Sequence, residues 1–131
     1  MNPTGITYHK TSKTLELAYA GRQSATLAAE LLRVYSPSAE VRGHSDSERV
    51  LQTGKKHVGI DSIEAVGNYA IRIVFDDGHD TGIYSWAFLR DLADNEAGYW
   101  QRYLDELEEK NASRLPTIPV GQWAPRTTGS T

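Results

Sequence analysis

Residues 57–86, HVGIDSIEAVGNYAIRIVFDDGHDTGIYSW, hold three apolar runs separated by two turn dipeptides, Gly67-Asn68 and Asp77-Gly78. Such dipeptides suit two-residue hairpin loops, so the segment reads as an antiparallel three-stranded meander at the centre of the domain. In the middle run Tyr69, Ile71, Ile73 and Phe75 alternate toward the core, and Arg72 lies on the other face. With Asp77-Gly78 as the whole loop, His79 stands opposite Asp76. It then shares a face with Val74 and Arg72 at the end of the sheet.

Upstream, TLELAYAGRQSATL forms a second hairpin, Thr14 to Tyr19 and Gln23 to Leu27, turning around Ala20-Gly21-Arg22. Leu27, Leu31, Val34 and Tyr35 follow at helical spacing until Pro37 stops the run. From Ser36 to Lys56 the chain is polar and reads as a loop. Downstream, Ser85 can cap a helix from Trp86 to about Ala93. A second runs from about Glu96 to Asn111, with Trp100, Tyr103, Leu104 and Leu107 on one stripe. The expectation is one α+β domain: an antiparallel sheet of five or six strands, hairpin plus meander, packed by about three helices. Its body spans residues 14–111, after an N-terminal segment, 1–13, and before a proline-containing, partly disordered tail, 112–131.

The chain has 131 residues, enough for a core that needs no staples, and no cysteine. Disulfides, thiolate zinc sites, cysteine-ligated clusters and cysteine nucleophiles are therefore excluded. A net charge of −3 gives no general attraction to nucleic acid or anionic lipid. No run approaches a membrane span, and Met1 to Lys10 lacks the layout of a signal peptide, so a cytoplasmic location is expected.

Several residue groups have the right types for chemistry. His44-Ser45-Asp46 is an H-x-D triplet, but it sits in an unpatterned loop without the eight-stranded scaffold that ferrous-iron triads use. His44, Asp46, His57 and His79 could converge on a divalent ion if that loop folds over the meander; solvated loop histidines are the simpler reading. Arg42, Arg49, Lys55 and Lys56 make a basic loop interrupted by Glu40, Asp46, Glu48 and Asp61 and without an interleaved aromatic, so phosphate recognition is not expected. No serine lies in a G-x-S-x-G elbow, and Asp76-Asp77 is explained by turn chemistry. Trp86, Trp100, Tyr84 and Tyr103 read as core. Tyr99 falls off the helical stripe, and it and Trp123 in the tail are the candidates for a protein-contact surface.

LAAELLRVYSPSAEVRGH and VGIDSIEAVGNYAIRIVFDDGHDTGIYSWAFLRDL, residues 27–44 and 58–92, resemble the bacterial DUF971 family, which is related to the N-terminal domain of gamma-butyrobetaine hydroxylase. The resemblance covers about residues 14–93. The G-N-Y-A-I-R-I-x-F-D-D-G-H-x-x-G-I-Y-x-W run is its specific mark. It implies a domain that, in the hydroxylases, precedes an iron and 2-oxoglutarate oxygenase domain and binds a structural zinc through C-x-C-x-x-C and the histidine of the D-G-H turn. Related domains are also fused to ATPases of iron–sulfur cluster assembly.

Carried over, His79 takes the zinc histidine's place, and the cysteine positions fall on Ser36, Ser38 and Val41. Hydroxyls are poor zinc ligands and valine has no donor, so no metal is expected there. His79 is instead expected to hydrogen-bond Ser36 or Ser38. The resulting reading is a stand-alone, non-catalytic accessory or interaction domain without a cofactor, recognising a protein partner or a second copy. The alternative is a metal-binding accessory protein linked to iron–sulfur or 2-oxoglutarate oxygenase systems, holding a divalent ion with His79 and His44, Asp46 or His57. A small enzyme or ligand-binding module, with a pocket between loop and meander, is a weaker third possibility.

Overall fold

The computed structural model describes residues 2–43 and 49–117. Strands β1 (Gly5–His9), β2 (Thr14–Tyr19) and β3 (Arg22–Ala28) form one antiparallel sheet in that order. Tyr19 pairs with Arg22, leaving Ala20-Gly21 as the loop with Gly21 at φ 70°. Leu15, Leu17 and Leu27 point into the core. β1 adds to the free edge of β2, from Gly5 opposite Ala18 to His9 opposite Thr14. Only Ile6 and Tyr8 alternate as apolar positions there, too short a pattern to announce a strand.

β4 (Ile60–Val66), β5 (Ala70–Phe75) and β6 (Ile83–Ser85) make a second antiparallel sheet. The expected single sheet of five or six strands is therefore two sheets of three. Each meander pairs only with its sequence neighbours, and the two inner faces share one apolar core rather than an edge. Tyr8 links the sheets, its hydroxyl accepting from Ile60 N at 3.0 Å. Val66 pairs with Ala70, so the first turn is the three residues Gly67, Asn68 and Tyr69. That extra residue takes Tyr69 off the core face to 59% exposure, while Ile71, Ile73 and Phe75 stay buried as expected. Trp86 pins the turn, donating from N to Tyr69 O at 3.2 Å and from Nε1 to Asn68 O at 2.8 Å.

Among the described residues four helices, not about three, surround the sheets: α1 (Ala29–Val34), α2 (Ala39–Arg42), α3 (Trp86–Asp94) and α4 (Glu96–Glu109). The additional one, α2, is a single turn within the stretch read as loop. Ser85 caps α3 as expected, its Oγ accepting from Phe88 N at 3.1 Å. α4 buries Tyr103 and Leu107, with Trp100 and Leu104 packed at the margin.

All six residues of α1 are buried, including Glu30 and Arg33. Buried charges need partners. Glu30 receives both arms of Arg114, at 2.8 and 2.7 Å, from the segment following α4. That segment lies along residues 54–56, with Gly54 N donating to Ser113 O at 3.0 Å and Lys56 N to Arg114 O at 2.9 Å. The first part of the expected tail, residues 112–117, is thus fastened to the domain. Residues 118–131, with Trp123, lie outside the described residues. Among the described residues, no helix is long and apolar enough to cross a membrane.

Candidate functional site

The D-G-H turn differs from the expected hairpin by one residue. Gly78 N donates to Phe75 O at 3.2 Å and Phe75 N to His79 O at 2.9 Å, with Gly78 at φ 91°. Phe75 and His79 therefore face each other across a three-residue loop, Asp76-Asp77-Gly78, whose glycine takes the left-handed position. A one-residue slip moves a side chain to the other face of a sheet. His79 accordingly shares the core face with Phe75, ring centroids 6.0 Å apart, rather than lying with Val74 and Arg72. Only 8% of it is exposed.

Its imidazole meets the link between α1 and α2. Ser36 Oγ lies 2.8 Å from His79 Nε2, and Ser38 Oγ lies 3.4 Å away. Ser36 Oγ also accepts from Ser38 N at 3.3 Å. The link and the D-G-H turn are thus joined through one buried hydroxyl. Burial lowers the imidazole's pKa and the positive field of Arg33 adds to it, outweighing the opposing pull of Glu40 and Asp77. The ring is therefore neutral at pH 7.

Asp77 holds the turn from the other side. Its Oδ2 accepts from Arg33 Nε at 2.9 Å and Lys55 Nζ at 2.6 Å, and its Oδ1 accepts from His79 N at 3.1 Å. Burial opposes the charge, but these donors together outweigh it and hold the carboxyl at about 2. Asp77 is both a turn residue and the hub joining α1, the 54–58 segment and the histidine loop. Sequence reasoning missed Arg33, 44 residues away, because nothing local signals such a partner.

Gly82 is a second missed residue. A Cβ there would fall 2.5 Å from Ser36 Oγ and 3.1 Å from Tyr84 Cε1. Only glycine admits the hydroxyl so close to β6. Its signal was the lone glycine before a strand, which commonly marks close approach.

The other candidates disperse. His57 is exposed, and its carbonyl accepts from Lys13 Nζ at 2.6 Å. His44 and Asp46 lie outside the described residues. Val41 is buried, its carbonyl accepting from Val50 N at 2.7 Å. Tyr99 is half-buried, with its ring edge-on to Tyr35 at 4.8 Å and its hydroxyl given to Asp91. Among the described residues, no three histidine, aspartate or glutamate side chains gather as a metal site.

Around His79 Nε2 stand two hydroxyls, and Val41, the third position the resemblance marks, has no donor to offer. Asp77 is committed to Arg33 and Lys55. This donor set does not fit a zinc ion, which wants thiolate, imidazole or carboxylate in four positions. Nor does the Ser36–His79 pair make a nucleophile, since only 2% and 8% of the two residues is open to solvent.

A family model described as gamma-butyrobetaine hydroxylase-like, N-terminal, matches residues 6–90. The chain belongs to this family. The match runs from β1 into α3 and includes the whole histidine corner, whereas α4 and the 113–117 segment follow it. Two structures solved in solution by NMR are similar to the chain. One is 50% identical, with a TM-score of 0.76, covering 94% of this chain and 92% of its own. The other is 47% identical, with a TM-score of 0.77, covering 93% and 96%. A crystal structure of a DUF971-family protein with unknown function from Acidithiobacillus ferrooxidans ATCC 23270 is 35% identical, with a TM-score of 0.59, over 70% of this chain and 92% of that one. No protein of curated function matches.

Proposed function

We propose that this GBBH-like N-terminal domain is a non-catalytic accessory module that binds a protein partner or a second copy of itself, and that its family zinc position has been lost to hydrogen bonding. The observation carrying the loss of the zinc position is the 2.8 Å contact between Ser36 Oγ and His79 Nε2, and family membership supports the accessory role. A side chain bonded to its neighbour through the atom that would ligate metal has no lone pair to spare. The corner fastens the α1–α2 link to the β5–β6 hairpin, so its role is architectural. Burial of both residues removes them from substrate.

Elemental analysis of protein purified without a histidine tag tests the zinc part. Metal well below one equivalent, with thermal stability unmoved by chelator, is the expected result. One equivalent of metal lost in His79→Ala would instead favour a metal-handling protein of iron–sulfur or oxygenase systems. That reading needs His79 with His44, Asp46 or His57, and the exposure of His57 lends it no support. Affinity capture with cross-linking and sedimentation analysis of the pure chain test the partner part. Enzymatic turnover in a substrate screen, with neither partner nor self-association found, would overturn it.

A further inference from the structure

A cavity of about 380 Å³ lies beside the α1–α2 link, among the end of α1, α2, α3 and α4. Its walls carry three arginines, Arg42, Arg49 and Arg102, and three aromatic rings, Tyr35, Phe88 and Tyr99. Two of the arginines are placed against those rings: the Arg49 guanidinium carbon sits 4.1 Å from the Tyr35 centroid, and that of Arg42 5.8 Å from Phe88. Flat cations on flat rings leave their edges free to donate.

The acids nearby do not cancel this charge. Asp91, on the same wall, is engaged at both oxygens, by the Tyr99 hydroxyl and by Asn95 Nδ2 at 2.8 Å. Glu106 takes one arm of Arg49 and stands 3.6 Å from Arg102. Three guanidiniums against two carboxylates leave a positive balance, and no ion pair of Arg42 is present among the described residues. Arg49 is the decisive group. Its side chain is 9% exposed. Nη1 reaches Glu106 and Nη2 donates to Val34 O at 3.2 Å, but the buried Nε has no hydrogen-bond partner among the described residues. A buried donor left unpaired beside a cavity costs free energy that a bound acceptor would restore.

We propose that this cavity is a binding site for a small organic oxyanion, a carboxylate or phosphate ester on a flat apolar body. Arg49 forms the buried floor, and Arg42 and Arg102, both solvent-accessible, close on the charge from the rim. The aromatic rings receive the body. The volume is at the lower end of the range for small-molecule sites, which sets the ligand at the size of a substituted single ring. Ser36 lines this cavity as well as bonding His79, but the arginines and rings take no part in that bond, and the site stands whether or not the accessory-domain reading holds.

Amide and aromatic NMR titration of the full chain with phenyl phosphate, benzoate, inorganic phosphate and benzylamine tests it. Saturable shifts at Tyr35, Phe88 and Tyr99 are expected with phenyl phosphate or benzoate by about 20 mM, weaker ones with inorganic phosphate, and none with the amine. Which aromatic anion saturates first tells carboxylate from phosphate. Arg42→Gln and Arg102→Gln should each weaken binding about tenfold or more while leaving the melting temperature unchanged, because both side chains are at the rim. Absence of saturable shifts with either aromatic anion would overturn the proposal. So would binding by both variants undiminished from that of the unsubstituted chain, or shifts scattered over the surface away from these rings.

Discussion

Gly82→Ala is the sharpest probe of the histidine corner. The new methyl would stand 2.5 Å from Ser36 Oγ, inside the 3.0 Å that real Cβ contacts essentially never cross, with Tyr84 Cε1 at 3.1 Å. Either β6 moves or Ser36 turns away and the bond to His79 is lost. Overpacking of a closed site costs about 1–3 kcal/mol, and an unmet buried group adds about 1–2, so a loss of about 3 kcal/mol is expected. Ser36→Ala alone removes the hydroxyl and should cost about 1–2 kcal/mol, since Ser38 Oγ stands 3.4 Å away to take its place. The two changes act on one atom, so they must not add. In the Ser36→Ala background the nearest obstruction is gone and only the 3.1 Å approach to Tyr84 remains, so Gly82→Ala should then cost about 1 kcal/mol, a coupling of about 2. Urea unfolding of the four chains measures it, with unchanged slopes showing that the unfolded reference is the same. An additive cycle would refute the claim that Gly82 is glycine because Ser36 needs its space.

Acid should weaken the fold in two stages. His79 and Asp77 both have folded pKa values below their unfolded ones, so the unfolded chain binds more protons and stability falls as pH drops. The first loss begins below about 6.5, and the second, up to about 2 kcal/mol, runs from about 4 toward 2. Unfolding across pH should show the lower stage shrink in Asp77→Asn, leaving what the exposed Glu16 and Asp94 carboxylates contribute; an unchanged stage would place the sensitivity elsewhere. Arg114→Ala leaves Glu30, 7% exposed at its side chain, without its bidentate partner. A loss of about 2–3 kcal/mol is expected, with faster hydrogen exchange at the amides of Gly54 and Lys56. Ser36→Cys, Ser38→Cys and Val41→Cys together should create a zinc site with His79, because the two hydroxyls already stand 2.8 and 3.4 Å from Nε2 and tetrahedral zinc sets nitrogen and sulfur about 3.6 Å apart. Titration by isothermal calorimetry showing no binding would mean that Val41 does not face the ion.

The legible parts of the fold were those written in local pattern. The β2–β3 hairpin, the apolar face of Ile71, Ile73 and Phe75, the Ser85 cap and the α4 stripe all follow from spacing within a few residues. β1 escaped because an edge strand of five residues borrows its pairing from β2 and needs little pattern of its own. The division into two sheets escaped because alternation fixes which face is buried, not which edges meet. At the site, Ser36 and Ser38 stand 2.8 and 3.4 Å from His79 Nε2, positions that only the resemblance singled out, while turn chemistry misled by one residue. An Asp-Gly dipeptide fits both a two-residue loop and the last two positions of a three-residue one, and only the closing Phe75–His79 bond decides between them.

That one residue has a consequence for how the corner is held. His79 reaches the core face through loop length and the Asp77–Arg33–Lys55 hub, neither of which depends on what occupies positions 36, 38 and 41. The histidine's orientation is therefore fixed before it meets the α1–α2 link. A single neutral hydrogen bond contributes about 1 kcal/mol where a structural zinc supplies about ten or more, so the link must be fastened by other means. The structure supplies them around the corner rather than in it. Arg33 Nη1 holds Gln52 at 2.9 Å, Val50 N is bonded to Val41 O at 2.7 Å, and Arg49 ties the segment beyond the link to Glu106 on α4 and to Val34 O on α1. Fastening is thus spread over several polar contacts of ordinary strength, each removable without unfolding the whole. A chain holding this segment by one strong bond would respond to a single substitution in an all-or-none manner; here each should loosen the segment by a step.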